Sequence, residues 1–330
     1  MPLIRTTFGK EFSQAEGQTV FEAALQAGIV LPYSCKSGRC SSCKCKVLSG
    51  ESRHIRDELG LTEHEKEQGF ILGCVRSATT DLLIAVEDIG SQIIPEAKTL
   101  PVRISKLDKL SPDVLLVKLR MPPSAKFSYL AGQHIEVIGS GGLRRSYSIA
   151  NAPVLDKQLE LHIRAVQGGA MSDYWFNQAK ENDLLRINGP LGSFFARPLT
   201  GLYLVLLATG TGIAPVKAML EMLANSPAIE QPISTTVYWG GRKPADLYYE
   251  FDRWHPTVRY VPVLSRAPAV WSGARGYVQK EMLRRDHDLV NTAVYACGSQ
   301  AMVASAKADL TEAGLPEERF YSDVFVSSGT

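Results

Sequence analysis

A chain of 330 residues has room for two or three domains of ordinary size, and a hydrophobic fraction of 45% suits packed soluble ones. The formal net charge of +2 gives no reason to expect nucleic acid as a partner. No stretch approaches the roughly 18 apolar residues of a membrane span, and the opening MPLIRTTFGKEF lacks the apolar core of a secretion signal, so a cytoplasmic monomer with no membrane partner is expected.

Residues 2–8 read as a first strand. Thr19 and Glu22 form a capping-box pattern that predicts a helix from Val20 to Ala27, stopped by Gly28. Five of the six cysteines then fall within the first 74 residues. In a reducing compartment they are not expected as disulfides. Cys35, Cys40 and Cys43 give C-x4-C-x2-C, with Cys74 further on, the plant-type spacing for a [2Fe–2S] cluster. Thiolates are soft ligands for iron, and Gly38 lets backbone pass close to the sulfurs. Structural zinc is the competing reading, but it pairs two short hooks, and Cys74 has no cysteine or histidine near enough to complete one. Cys45 alternates with outward lysines and reads as a core residue of a strand. Thr62 and Glu65 repeat the capping box ahead of Gly69, and residues 82–87 alternate as a closing strand. The acidic stretch Asp57 to Glu67 reads as a solvated helix face ahead of a partner surface. Residues 1–92 are therefore expected to form an α+β β-grasp domain.

Residues 93–101 read as a linker with two prolines. Short β-rich runs follow at 102–107, 113–120, 133–138, 145–150 and 159–165, without helices between them. They predict a small antiparallel β-barrel over 102–199. Arg145-Ser-Tyr-Ser148 puts a fixed charge, a ring and a hydroxyl on one extended stretch, with Arg145 and Tyr147 on the same face. Gly168-Gly-Ala-Met-Ser172 opens a predicted helix, 171–179. Such a glycine-rich helix start, Gly169, Ala170, Met171 and Ser172, favours a pyrophosphate.

From residue 200 onward, strands alternate with helices. Leu202 to Ala208 is an apolar run suited to a buried parallel strand, and Gly210-Thr-Gly-Ile-Ala-Pro215 turns into a helix expected over Val216 to Leu223. Further strands are predicted at 234–239, 258–263 and 292–297, with helices at 246–254, 277–284 and 299–313. The layout is a doubly wound α/β domain, whose ligands bind beyond the carboxyl ends of the strands. Gly210, Gly240 and Cys297-Gly298 all fall at such ends.

Together these residues resemble the ferredoxin–NAD(P)H reductase superfamily over essentially the whole chain. The resemblance implies that the antiparallel barrel over 102–199 is six-stranded and flavin-binding, and that the pyrophosphate at Gly169, Ala170, Met171 and Ser172 is that of FAD. It implies that Arg145, Tyr147 and Ser148 hold FAD and that Gly210, Thr211 and Gly212 hold NAD. It also implies that Cys297 and Gly298 flank the nicotinamide. The acidic-x-aromatic tail matches Asp323 and Phe325, the ring of Phe325 covering the flavin, with five residues following it. Ser148, Cys297 and Asp323 are the expected catalytic residues. A nicotinamide surrenders two electrons as a hydride and an iron–sulfur cluster accepts one at a time, so FAD between them reconciles the two. A non-catalytic carrier or redox sensor is the competing class, against which the intact Gly-Thr-Gly turn and Cys297-Gly298 argue.

Iron–sulfur domain first is the order of two subgroups. One comprises reductase components of aromatic-ring dioxygenases and multicomponent monooxygenases, the other the reductase of 3,6-dideoxyhexose (O-antigen) biosynthesis. Arg145 to Asn151, Val237 to Gly240, Tyr295 to Ser299 and Phe320 to Phe325 resemble the second. It implies a transient protein acceptor, a pyridoxamine-phosphate-dependent sugar 3-dehydrase, met by the cluster loop near Lys36, Ser37 and Arg39. For the nucleotide, Ser265, Arg266 and Arg275 offer cations to a 2′-phosphate, but Trp271 to Gly276 resembles reductases that use NADH, which is expected over NADPH.

Overall fold

The computed structural model describes residues 1–87, 89, 94–153, 158–251, 258–285 and 288–325. At the N-terminus, β1 (Leu3–Thr6) and β2 (Glu11–Ser13) form a hairpin. The helix that follows, α1 (Val20–Gln26), starts on a closed capping box. Thr19 Oγ1 accepts the Glu22 amide at 3.0 Å, and the Glu22 carboxylate accepts the Thr19 amide at 2.9 Å. After β3 (Lys44–Ser49) and β4 (Ser52–His54), the same device, Thr62 with Glu65, opens the short α2 (Glu63–Glu67). Then come β5 (Phe70–Leu72), β6 (Arg76–Ala78) and β7 (Leu82–Ala85).

The main sheet runs β2-β1-β7-β3-β5, with β1 and β7 parallel, and β4 pairs with β6 apart from it. The helix and the mixed sheet enclose a core in which Ile4, Val20, Ala24, Leu72, Val75 and Ile84 are fully buried. This is the expected β-grasp.

The barrel comprises β8 (Lys98–Ser111), β9 (Val114–Arg120), β10 (His134–Ile138), β11 (Arg144–Ser148), β12 (Gln158–Arg164) and β13 (Leu184–Leu191). Its order is β11-β10-β13-β8-β9-β12, and an antiparallel bridge from Ile149 to Leu161 joins the two ends into a closed cylinder. Three expectations are corrected. First, the linker ends early, because β8 begins at Lys98 and not at 102. Residues 98–102 pair with β13 alone, and pairing with β9 starts at Arg103, so Pro101 needs no donor on its open side. Linker residues 91–93 lie outside the described residues. Second, the sixth strand is Leu184–Leu191, which no run in the sequence marked. Third, the helix expected at 171–179 is only α3 (Ala170–Asp173) followed by a π turn, Tyr174–Gln178. The Asp173 carboxylate accepts the side-chain amides of Asn177 and Gln178, and the Ala179 amide reaches back to the Tyr174 carbonyl at 2.7 Å, widening the turn.

The last part contains β14 (Tyr203–Thr209), α4 (Ile213–Ala224), β15 (Ser234–Gly241), β16 (Arg259–Leu264), β17 (Ala274–Arg275), α5 (Val278–Leu283), β18 (Thr292–Ser299), α6 (Gln300–Glu312) and β19 (Phe320–Phe325). The order β17-β16-β15-β14-β18-β19 reverses direction between β14 and β18, the switch point where doubly wound sheets take ligands. α4 starts three residues before the expected Val216, so Pro215 lies in its first turn, where a missing N–H leaves no bond unmade. The helix expected at 246–254 is contradicted at its start. A 3-10 turn, Pro244–Asp246, is fixed by the Asp246 carboxylate on the Arg242 and Lys243 amides, and 247–250 are not helical. Residues 252–257 lie outside the described residues.

Among the described residues no helix is long and apolar enough to cross a membrane. One compact unit holds residues 1–94, 192–194 and those from 323 on, and the other holds 95–191 and 195–322.

Candidate functional site

In the first unit, the loop through the first three cysteines is coiled by positive φ at Lys36 (53°), Gly38 (73°) and Ser41 (60°). A side chain at Gly38 would put its Cβ 2.3 Å from the Asp57 carbonyl oxygen, and the Gly38 carbonyl itself accepts the Gly60 amide at 2.8 Å. The four expected ligands fall into two sulfur pairs. Cys43 Sγ and Cys74 Sγ are 3.1 Å apart. Cys40 Sγ accepts the Cys35 amide at 3.4 Å, while Cys35 Sγ accepts the Ser37 amide at 3.4 Å. One sulfur in each pair is acidified. The hydrogen bond from Cys40 brings Cys35 down to about 5, and that from Cys43 lowers Cys74. Giving those bonds, together with burial, holds the Cys40 and Cys43 thiols up. Two pairs of sulfurs suit two irons with two thiolates each. Cys45 packs in β3 opposite Ile71, and burial pushes its thiol up to about 12, as befits an inert core residue.

The acidic stretch is a solvated helix face as expected, with Asp57, Glu63 and Glu67 exposed, but two of its carboxylates also hold structure together. The Glu58 carboxylate is buried on Arg76 at 2.6 Å and accepts the Leu72 amide at 2.6 Å, and Glu65 pairs with Lys44 at 2.7 Å. Of the residues expected near a partner, Lys36 folds its ammonium over the rings of Tyr33 (4.7 Å) and Phe21 (5.3 Å), while Ser37 is exposed.

Ser34, the neighbour of the first cysteine, donates its hydroxyl to Asp323 Oδ1 at 2.7 Å. Burial pushes the Asp323 carboxyl up to about 6; the Ser34 bond opposes this, and negative charge on Cys35 adds to it. A carboxyl so placed can hold or release a proton near neutrality. Phe325 is 37% exposed, and the five residues after it lie outside the described residues.

In the second unit, the β10–β11 register sets Arg145 opposite Val137 and Tyr147 opposite Ile135, so the two share a face as expected, with Ser148 buried at the strand end. Trp175, unmarked by any motif, donates its indole N–H to the Tyr147 hydroxyl at 3.0 Å. Burial pushes the Tyr147 phenol up to about 12 and so keeps it protonated. Gly169 precedes α3, and no side chain caps that helix. The Met171 side chain is core, so it offers a ligand only backbone, whereas Ser172 Oγ accepts the Val166 amide at 2.9 Å and keeps its own proton to donate. A guanidinium, a ring, a hydroxyl and uncapped helix amides fit a flavin dinucleotide.

The Gly-Thr-Gly turn is a 3-10 turn, Gly210–Gly212, steadied by the Trp239 indole on the Gly210 carbonyl at 2.9 Å. It interlocks with the end of β18. A Cβ at Gly212 would lie 2.2 Å from the Cys297 carbonyl oxygen, and one at Gly298 would lie 2.1 Å from Thr209 Oγ1. Cys297 is wholly buried. Arg164 of β12, which the sequence did not mark, pairs with Asp113 at 2.8 Å and Asp246 at 3.5 Å beside Gly210. Trp175 and Arg164 escape sequence reasoning because each reaches its partner from a separate element, and the segment Val237 to Gly240 gave no sign that Trp239 reaches the Gly210 carbonyl.

Comparison with known proteins gives matches to the 2Fe-2S iron-sulfur cluster binding domain over residues 5–79, the oxidoreductase FAD-binding domain over 101–195 and the oxidoreductase NAD-binding domain over 206–308. The chain is 41% identical over 321 residues to the CDP-6-deoxy-L-threo-D-glycero-4-hexulose-3-dehydrase reductase of Yersinia pestis, covering 96% of each. It is 34% identical over 331 residues to terephthalate 1,2-dioxygenase reductase component 1 of Comamonas sp., covering 97% of this chain and 95% of that one. The solved structure of the Amycolatopsis cytochrome P450 reductase GcoB aligns over 100% of both chains, with a TM-score of 0.76 and 30% identity. The chain belongs to the ferredoxin reductase superfamily, as an oxidoreductase carrying [2Fe–2S], FAD-binding and NAD-binding domains in one polypeptide.

Proposed function

We propose that the chain acts as a CDP-6-deoxy-3,4-glucoseen reductase. It takes electrons from NADH and passes them to a pyridoxamine-phosphate-dependent dehydrase that removes the C3 hydroxyl of CDP-4-keto-6-deoxyglucose. FAD would supply a hydride acceptor and a [2Fe–2S] cluster single-electron release, which together give the output such a dehydrase needs. In this reading Arg145, Tyr147 and Ser148 hold the flavin, with the amides of Ala170 to Ser172 facing its pyrophosphate and Gly169, its own amide on the Val166 carbonyl, shaping the turn before them. Gly210 to Gly212 and Cys297-Gly298 orient the nicotinamide nucleotide. Asp323, whose Oδ1 accepts the Ser34 hydroxyl, relays a proton or orients its neighbours, Phe325 covers the flavin, and Cys35, Cys40, Cys43 and Cys74 ligate iron.

The observation that carries the reading is the 41% identity, along 96% of both chains, to a dehydrase reductase. Mixed with a competent dehydrase, NADH and the CDP-4-keto sugar, the protein is expected to yield a 3-deoxy sugar. Support of an aromatic-ring hydroxylase with no 3-deoxy product would sink the reading in favour of an oxygenase reductase, the role named for the relative at 34% identity.

NADH is favoured over NADPH. The Arg275 guanidinium already donates to the carbonyls of Ala267, Pro268, Ala269 and Trp271, at 2.8 to 3.2 Å, so it serves the loop and is not aimed outward at a 2′-phosphate. Steady-state kcat/KM should be higher with NADH, and a tenfold preference for NADPH would reverse the assignment.

A further inference from the structure

Helix α4 leaves the Gly-Thr-Gly turn and is buried along most of its length, yet it carries a full charge inward. The Lys217 side chain is 9% exposed, and its ammonium meets three oxygens: the Ala150 carbonyl at 3.0 Å, Glu160 at 3.1 Å and Glu221 at 2.6 Å. These use every N–H it has. Glu221, one helical turn on, accepts the Ala152 amide at 2.9 Å with its other oxygen. One face of α4 therefore grips a backbone segment at two points, a carbonyl through Lys217 and an amide through Glu221. That segment continues directly from Arg145 to Ser148.

The grip is itself braced. Glu160 of β12 accepts His162 Nε2 at 3.2 Å and faces Lys118 Nζ at 3.7 Å. Burial holds His162 neutral, so its one proton lies on Nε2 toward Glu160, and Nδ1 accepts the Tyr248 hydroxyl at 3.2 Å. Burial raises Glu160, but the His162 bond and the Lys217 charge outweigh it and bring the carboxyl to about 2. Two ammonium groups thus balance two carboxylates. The largely buried pair, Lys217 with Glu160, adds little stability over apolar packing of the same volume. It supplies direction, because each bond fixes both a distance and an angle.

We propose that Lys217 and Glu221 are positioning residues that register the nucleotide-binding turn against the flavin-binding strand, and so set the approach of nicotinamide to flavin. The proposal rests on the reading of those two segments as the nicotinamide and flavin sites. Its test is anaerobic stopped-flow reduction of the flavin by NADH and by 4-deuterated NADH, in the full FAD-loaded protein and its Glu221→Ala and Glu221→Gln variants. A misplacement of about 1 Å is enough to slow such a step by up to about 100-fold. Glu221→Ala is expected to lose about 10- to 100-fold in reduction rate with its deuterium isotope effect undiminished, while NAD+ and FAD dissociation constants stay within about threefold. Hydrogen exchange at the Ala152 amide should accelerate. Glu221→Gln keeps one acceptor where the carboxylate has two, so it can hold the Ala152 amide but not Lys217 as well, and should recover part of the rate.

Reduction within twofold of the parent, despite a lowered melting temperature, would overturn the proposal and leave the network a structural tie. A rise in the NAD+ dissociation constant matching the rate loss would overturn it in favour of binding. A parent protein that NADH does not reduce overturns the site reading itself, and the proposal with it.

Discussion

Gly212→Ala is expected to lower NADH-driven flavin reduction by about 100-fold or more, while the electron paramagnetic resonance of the chemically reduced cluster stays unchanged. The backbone at Gly212 is ordinary, with φ of −59°, so alanine meets no torsional penalty there. The whole effect comes from contact. The new methyl would lie 2.2 Å from the Cys297 carbonyl oxygen, 2.7 Å from its carbon and 3.2 Å from the Gly298 nitrogen. None of these is the tip of a flexible side chain, so the turn must move by about 1 Å away from β18, a shift of the size that costs two orders of magnitude in an oriented transfer. Stopped-flow reduction measures it, and a rate near the parent's would show that the interlock does not place the nucleotide.

Gly38→Ala is expected to leave the protein with less than about a tenth of its iron. FAD content and NADH-to-ferricyanide activity, which the flavin supports directly, should be retained. Here both penalties act. A φ of 73° disfavours any side chain by about 1–2 kcal/mol, and the methyl would sit 2.3 Å from the Asp57 carbonyl oxygen and 3.1 Å from Val75. Relief requires the loop to swing away from the segment 57–60, and the amides that aim at Cys35 and Cys40 go with it. Iron analysis and the cluster's resonance signal decide the matter. A full iron complement would mean that the coil of this loop is not what brings the sulfurs together.

What could be read from the sequence was whatever depends on residues close together in the chain. The cysteine spacing, both capping boxes and the Gly-Thr-Gly turn are of this kind, and each appears where expected. The strand Leu184–Leu191 escaped notice because its pattern is spoiled at both ends. Leu184 points to solvent at 69% exposure, and Asn188-Gly-Pro190 reads as a turn until β8 and β10 flank it. The start of β8 was hidden for a related reason: Pro101 forbids a central strand but not one with an unpaired side. Lys217 illustrates the wider limit. Within the apolar run of α4 it reads as a stem reaching for water, and nothing nearby in sequence announces that Glu160 and Ala150 wait for it on the barrel. Glu221 alone, at the i+4 position, was within local reach.

The pairing of the sulfurs also has a consequence for the chain as a polymer. Cys35 and Cys40 lie within one loop, but Cys43 and Cys74 are 31 positions apart, with β3, β4, α2 and β5 between them. Iron held between that second pair closes a ring of this length. By the arithmetic used for disulfide cross-links, such a ring removes about 4 kcal/mol of freedom from the unfolded chain. Whole small domains are stable by only about 5–15 kcal/mol. With the proposed four cysteine ligands, the metal centre of this unit would also be its cross-link, and a chain that lost its iron would lose a tie between distant segments along with its electron path.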